Sequence, residues 1–168
     1  MPENDSPIAL VEYDPRWPLL FVEERTLLLP ILTPWLVGPI EHIGSTAVPG
    51  LAAKPVIDIM AAVGTLDESR EAITAVSRLD YLYAPYHSEE EHWFCKPGPS
   101  FRTHHLHLVP FRSPVWAACI AFRDSLRKDR SIAAEYLALK RSLAASFGHD
   151  REAYTSGKTA FVTRILGE

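Results

Sequence analysis

The spacing of apolar and polar positions changes several times along the chain, and each change marks an element. Residues 8–13 alternate enough to predict a short strand. Asp14-Pro15 then has the form of a helix start, with Asp14 as N-cap and Pro15 at the first helical position. Trp17, Leu20, Phe21, Leu27, Leu28 and Ile31 recur at helical spacing, so this helix buries one face. Pro30 and Pro34 are expected to end or kink it. Residues 39–43 read as a strand that runs into Gly44-Ser45, and residues 46–55 as a loop. Residues 56–63 are almost continuously apolar, with Asp58 the one charge among them, which suits a central strand covered on both faces.

Beyond that strand, Thr65 to Glu68 has capping-box form and predicts a helix through about Leu79. Strands are expected near residues 81–86, 92–96 and 104–109, the last two joined by Pro97-Gly-Pro-Ser100 as a hairpin. The rest is helical. Ser113-Pro114 opens a helix whose Val115, Cys119, Phe122 and Leu126 form one stripe. Asp129 or Ser131 opens another, with Ile132, Tyr136, Leu139, Leu143 and Phe147 inward, and Asp150 caps a last helix ending near Leu166. No internal repeat and no long linker divides residues 1–168, so a single domain is expected.

Composition narrows the setting. At 168 residues the chain can bury a core without metal or disulfide support. The 47% apolar and 23% charged residues are ordinary globular usage, which sets aside fibrous and disordered classes. A net charge of −4 argues against general nucleic-acid binding, because phosphate contacts call for a basic surface. The two cysteines, Cys95 and Cys119, stand far apart and outside any C-x-x-C pattern, which fits a reducing cytosol. Residues 1–7 lack the regions of a signal peptide, and the most apolar stretch, residues 27–37, is too short and too broken by proline to span a bilayer. A cytoplasmic protein with no membrane partner is the expectation.

The candidate chemistry centres on residues 42–58. A carboxylate inside a hydrophobic strand must be hydrogen-bonded, paired or coordinating, because its burial alone is costly. Asp58 is either a structural acceptor or a functional group held at a strand end. Gly44-Ser45 offers backbone N–H groups and a hydroxyl without bulk, as a phosphate cradle does, although most such pairs are plain turns. Gly50 is followed by Leu51, so no P-loop is present. Lys54 either neutralises a phosphate or lies in solvent.

A second signal is Arg102-Thr-His-His-Leu-His-Leu108. On a strand, His105 and His107 share one face, an arrangement that serves as metal ligands, as an acid–base pair or as the cover of an exposed sheet. Strand parity counted from Gly44 places His42 at the same site and Glu41 opposite. His87, His92 and His149 read as surface or loop residues, the Glu89-Glu-Glu91 run as a solvated turn, and Trp93 and Trp116 as core.

Several of these stretches resemble one family. Residues 40–59 (IEHIGSTAVPGLAAKPVIDI) are similar to the signature of the GrpB-like family. So are residues 11–18 (VEYDPRWP), 105–107 (HLH), 122–127 (FRDSLR), 136–140 (YLALK) and 154–158 (YTSGK). The family is placed in the nucleotidyltransferase superfamily, and some of its relatives are fused to dephospho-CoA kinase. The resemblance implies an α/β (α+β) fold: a mixed sheet with helices packed on it and a C-terminal helical segment. It also implies that Gly44-Ser45, with Thr46, touches a nucleotide's phosphates and that Asp58 is the first metal-binding carboxylate. The second carboxylate is expected two residues on, where this chain has Met60.

Nucleotidyl transfer by two metal ions uses several carboxylates, which Asp58 alone does not supply. His105, His107 or His42 would then complete a site for one divalent ion, magnesium, manganese or zinc, with imidazole favouring the transition metals over magnesium. Three readings follow. The first is a nucleotidyltransferase-type enzyme in which Asp58 holds metal and His107 or His105 moves a proton or coordinates. In it Ser45 with Lys54, Arg102, Lys140 and Lys158 meets phosphates, although each of these charges alone reads equally well as surface. The second is a non-catalytic module for a nucleotide, CoA-like or other phosphorylated ligand. The third is a metal-assisted hydrolase on His42, Asp58, His105 and His107. The sequence leaves the substrate, metal and oligomeric state open.

Overall fold

The computed structural model describes residues 7–167; the expected absence of a leader concerns residues 1–7, of which 1–6 lie outside them. Five strands make one mixed sheet: β1 (Leu36–Ile43), β2 (Ile57–Val63), β3 (Leu82–Ala84), β4 (His92–Pro97) and β5 (Arg102–Pro110). Their spatial order is β1-β2-β5-β4-β3. The β1–β2, β4–β5 and β3–β4 pairs are antiparallel, while β2 and β5 run parallel. The mixed α/β class expected from the sequence is the one observed.

Helices cover both faces. Before β1 comes α1 (Trp17–Leu32), and between β2 and β3 comes α2 (Ala72–Val76). These two pack Trp17, Leu28, Leu32, Ala72 and Val76 against Ile57, Ile59, Ala61, Leu106 and Leu108. After β5 follow α3 (Pro114–Lys128), α4 (Arg130–Phe147), α5 (Arg151–Ser156) and α6 (Thr159–Leu166). On that second face Ile43, Met60, Ala62 and Val109 meet Trp116 of α3. β2 is thus buried along its whole length except at Asp58, as a strand covered on both sides requires. Each fully buried Ile or Leu contributes about 1.5–3 kcal/mol relative to exposure, so the two clusters fix the strand register firmly.

Local chemistry explains most element boundaries. Ser113 accepts from the Trp116 N–H, Asp129 from those of Ser131 and Ile132, and Asp150 from that of Ala153, so each predicted cap begins a helix. The last predicted helix is two, α5 and α6, separated at Gly157-Lys158. Other expectations need correction. Residues 8–13 form only an isolated bridge, Val11 to Ala53. Asp14 accepts from Arg16 N–H, and the first helix starts later, at Trp17-Pro18. Pro30 lies inside α1 and does not end it; the helix ends at Leu32, with Thr33 as C-cap directly before Pro34, as the second proline predicts. In the Thr65–Glu68 box the Thr65 hydroxyl accepts from the Glu68 N–H and donates to the Glu68 carboxylate, yet the segment stays in turns until Ala72. Phe147, expected inward, is exposed.

Candidate functional site

The second face of the sheet and the four C-terminal helices enclose a cavity of about 750 Å³, within the range of small-molecule sites. Its floor is β2 and β5. Because Asp58 pairs with His105 and Met60 with His107 across the parallel ladder, Asp58, His105 and His107 share one face. Nδ1 of His105 lies 2.8 Å from Oδ1 of Asp58. Nδ1 of His107 lies 2.5 Å from Oε2 of Glu91, just ahead of β4. Two imidazole–carboxylate pairs therefore stand side by side on the cavity floor. Nε2 of His105 is buried and finds no hydrogen-bond partner among the described residues.

Charges here depart from their ordinary values. Burial raises the Asp58 carboxyl, but the His105 hydrogen bond and the charges of His105, His107 and Lys54 outweigh it and bring it down to about 2. Burial, with the charges of His107 and Lys54, lowers His105 against the bond and charge of Asp58, so it lies below the usual imidazole value. His107 goes the other way: burial lowers it, yet the charge and hydrogen bond of Glu91 leave it raised.

One wall is cationic. Nζ of Lys54 and Nζ of Lys158 lie 5.1 and 4.6 Å from the centre of the same Tyr154 ring. Lys140 donates to Oγ of Ser45 at 3.0 Å and to the Ala52 carbonyl at 2.6 Å. Burial, then the charges of Lys158, Lys54 and Arg141, lower Lys140 to about 7. Burial and Lys54 lower Lys158 to about 8, against the pull of Asp58. Arg102 lines the cavity elsewhere, stacked 5.5 Å from the Trp93 ring centre.

The turn after β1 closes the site at Gly44. Its φ is +71°, and a Cβ there would stand 2.5 Å from Oδ2 of Asp58. Only glycine meets both conditions, and it lets the backbone turn into Ser45 directly over the carboxylate. The Thr46 hydroxyl is used inside the fold, donating to the Val56 carbonyl and meeting Nε2 of His42 at 2.9 Å.

Several placements differ from those expected. His42 pairs with Ile59 and stacks on Phe21 of α1, on the opposite side of the sheet from the site. Parity counted through Gly44 fails because that residue leaves the pleat; Ile43 is the partner of Asp58. Glu41 is on the cavity side and takes a 2.7 Å bond from Arg123 of α3. Glu91 is buried rather than solvated, and His92 is buried too, with Nε2 2.9 Å from the Leu66 carbonyl. Trp93 is half-buried on the cavity wall rather than in the core. The alternation Glu91, Trp93, Cys95 against His92, Phe94 was the available signal, since Trp93 pairs with His107 and fixes the face.

The donor set does not fit the divalent-metal centre that the resemblance implied. His42 is on the other face, Met60 stands in the second carboxylate position, and Oδ1 of Asp58 is taken by His105. Among the described residues no group of three or more His, Cys, Asp or Glu side chains is arranged to hold a metal ion. No helix among them is long and apolar enough to cross a membrane.

Comparison with known proteins agrees with this architecture. The GrpB protein family matches residues 7–168. The chain belongs to the GrpB family. Membership is consistent with the nucleotidyltransferase superfamily. This GrpB chain is 32% identical to the glutamate-rich protein GrpB of Alkalihalophilus pseudofirmus, covering 98% of this chain and 97% of that one. It is 37% identical to a UPF0157 protein of Pseudomonas aeruginosa, covering 98% of this chain and 68% of that one. A dephospho-CoA kinase of Mycolicibacterium paratuberculosis is 30% identical over 91% of this chain, which spans only 44% of the kinase. The crystal structure of the conserved protein GrpB from Enterococcus faecalis superposes with a TM-score of 0.83 at 34% identity, covering 95% of both chains.

Proposed function

We propose that this GrpB protein binds a phosphate-bearing small molecule of nucleotide size in the cavity between sheet and C-terminal helices. One observation carries the reading: Lys54, Lys140 and Lys158 converge on the wall beside Ser45, and their mutual repulsion helps to lower Lys140 to about 7 and Lys158 to about 8. Fixed positive charges held together at a stability cost are relieved when an anion binds between them. Ser45 and Lys140 hold one phosphate, Lys54 and Lys158 meet the next, and the part attached to them extends over Asp58, His105 and His107.

Binding, rather than two-metal nucleotidyl transfer, is the better-supported role, because Met60 removes a carboxylate that such transfer uses. The kinase relative adds CoA to the ligands worth trying, as a bearer of the same pyrophosphate chemistry. The test is thermal stability of the full chain with pyrophosphate, ATP, CTP and CoA, each with EDTA, for wild type, Lys140→Met and Lys158→Met. A rise in Tm that persists in EDTA and disappears in both variants supports the reading. Equal shifts in wild type and variants, or none with any of the four, refute it.

A further inference from the structure

The cavity floor holds more than an anion site needs. Each of two neighbouring imidazoles is fixed at Nδ1 by its own carboxylate, so Nε2 of each is the nitrogen left to meet a ligand. At about 3.3 Å per residue along a strand, the two rings are anchored roughly 6–7 Å apart. That span accommodates the entering and leaving oxygens of one phosphorus, each hydrogen-bonded to one ring.

The pairs are alike in geometry and unlike in surroundings. His105 lies beneath Trp93, their ring centres 5.0 Å apart, with Nε2 buried and unpartnered among the described residues. An imidazole that donates from Nδ1 to Asp58 keeps a bare lone pair on Nε2, which is what a base presents. His107 faces Glu91, and its second nitrogen is a donor when the ring is charged.

We propose that His105 and His107 are the general base and general acid of a metal-independent phosphodiester hydrolase, with the lysine wall holding the phosphate. This rests on the anion-binding reading of the same cavity. Nε2 of His105 takes a proton from a water molecule as the water oxygen bonds to phosphorus. The bond from phosphorus to the leaving alkoxide oxygen breaks, and that oxygen takes the proton of Nε2 of His107. The products are a phosphomonoester and an alcohol. His105 is then protonated and His107 neutral, and exchange with solvent restores both. Nothing is oxidised or reduced.

The opposite displacement of the two imidazoles supports these roles, since burial keeps His105 low despite Asp58 while Glu91 keeps His107 high despite burial. The charged or titratable groups facing the pair are Asp58 on β2, Glu91 ahead of β4, Lys54 in the loop before β2 and Cys119 on α3. The thiol of Cys119 is pushed up to about 11 by burial and then by Glu91 and Asp58, so it stays neutral over the working range.

Two probes separate the roles: cytidine 2′,3′-cyclic phosphate, whose leaving alkoxide needs a proton, and bis(4-nitrophenyl) phosphate, whose leaving group does not. The full chain is assayed in EDTA from pH 5 to 9. The expected result is turnover of both by wild type. His105→Gln lowers both rates by about 100-fold or more, and His107→Gln lowers only the cyclic substrate by that factor. Rates that EDTA abolishes, an equal loss of both probes in His107→Gln, or no turnover while pyrophosphate still raises Tm would overturn the acid–base pair alone. Failure of pyrophosphate to raise Tm removes the anion site and this inference with it. Should a glutamine variant not fold, long-range ¹H–¹⁵N NMR of wild type decides. A proton on Nδ1 of His105 and protons on both nitrogens of His107 at pH 6.5 are expected, and the reverse assignment overturns the proposal.

Discussion

Gly44 lies so close to Asp58 that a methyl group on its Cα would stand 2.5 Å from Oδ2, at a backbone φ of +71°. Gly44→Ala therefore meets both a strained backbone and a carboxylate that cannot retreat without giving up His105. We expect a loss of about 1–3 kcal/mol from the backbone conformation alone, measured by urea unfolding. Unchanged stability would show that the end of β1 shifts freely and that the contact constrains nothing.

The buried His42 makes stability depend on pH in a region where surface residues contribute little. Burial lowers it to about 4 against Asp58's upward pull, with Arg127 and Arg123 lowering it further, so the unfolded chain binds a proton that the folded chain refuses between pH 6.5 and 4. The His42 contribution is complete above pH 6.5 and is lost as pH drops to 4, about 3 kcal/mol in all. His42→Phe should remove that slope in urea titrations at a series of pH values; an identical slope in the variant would place its origin elsewhere.

His107 has the opposite sign. Its raised value means that its contribution is fully present below the unfolded imidazole value and is lost as pH rises through the folded one. Glu91→Gln removes both the charge and the ionic hydrogen bond, so NMR titration of His107 should show its midpoint falling below that of wild type. A midpoint that does not move would mean that Glu91 is not what holds the proton there.

Lys140 offers a third pH signature. Because burial and neighbouring lysines lower it from 10.5 to about 7, the unfolded chain carries the extra proton over that interval and stability rises as pH increases from 7 towards 10. Pyrophosphate should flatten this rise by holding the lysine charged. A stability profile that pyrophosphate leaves unaltered would mean that the anion does not reach Lys140.

The legible parts of this molecule were those fixed by neighbours in sequence. Asp58 stood out as one charge in an apolar strand, the parity of His105 and His107 followed from alternation, and Ser113, Asp129 and Asp150 cap helices where their side chains predicted. What escaped depended on distant contacts. Glu91 reads as a solvated charge beside two other glutamates, and only the 16-residue return of β5 brings His107 to it. Parity counted through Gly44 puts His42 on the wrong face, because one left-handed glycine breaks the strand count. The convergence of Lys54, Lys140 and Lys158 arises from the packing of a loop and two separate helix regions, which no local pattern encodes.

The parallel pairing of β2 with β5 has a consequence for how the chain reaches its native state. The β1–β2 pair forms across a short connection, as does the β3–β4–β5 meander, but the ladder joining them closes over 47 residues from Asp58 to His105. Short-range pairings assemble fast and long-range ones late. The Asp58–His105 bond thus spans the seam between two locally connected halves of the sheet, and the floor of the cavity is expected to form only when they dock. A ligand resting on that floor bridges the seam, so it slows the parting of the halves and prolongs the life of the folded chain.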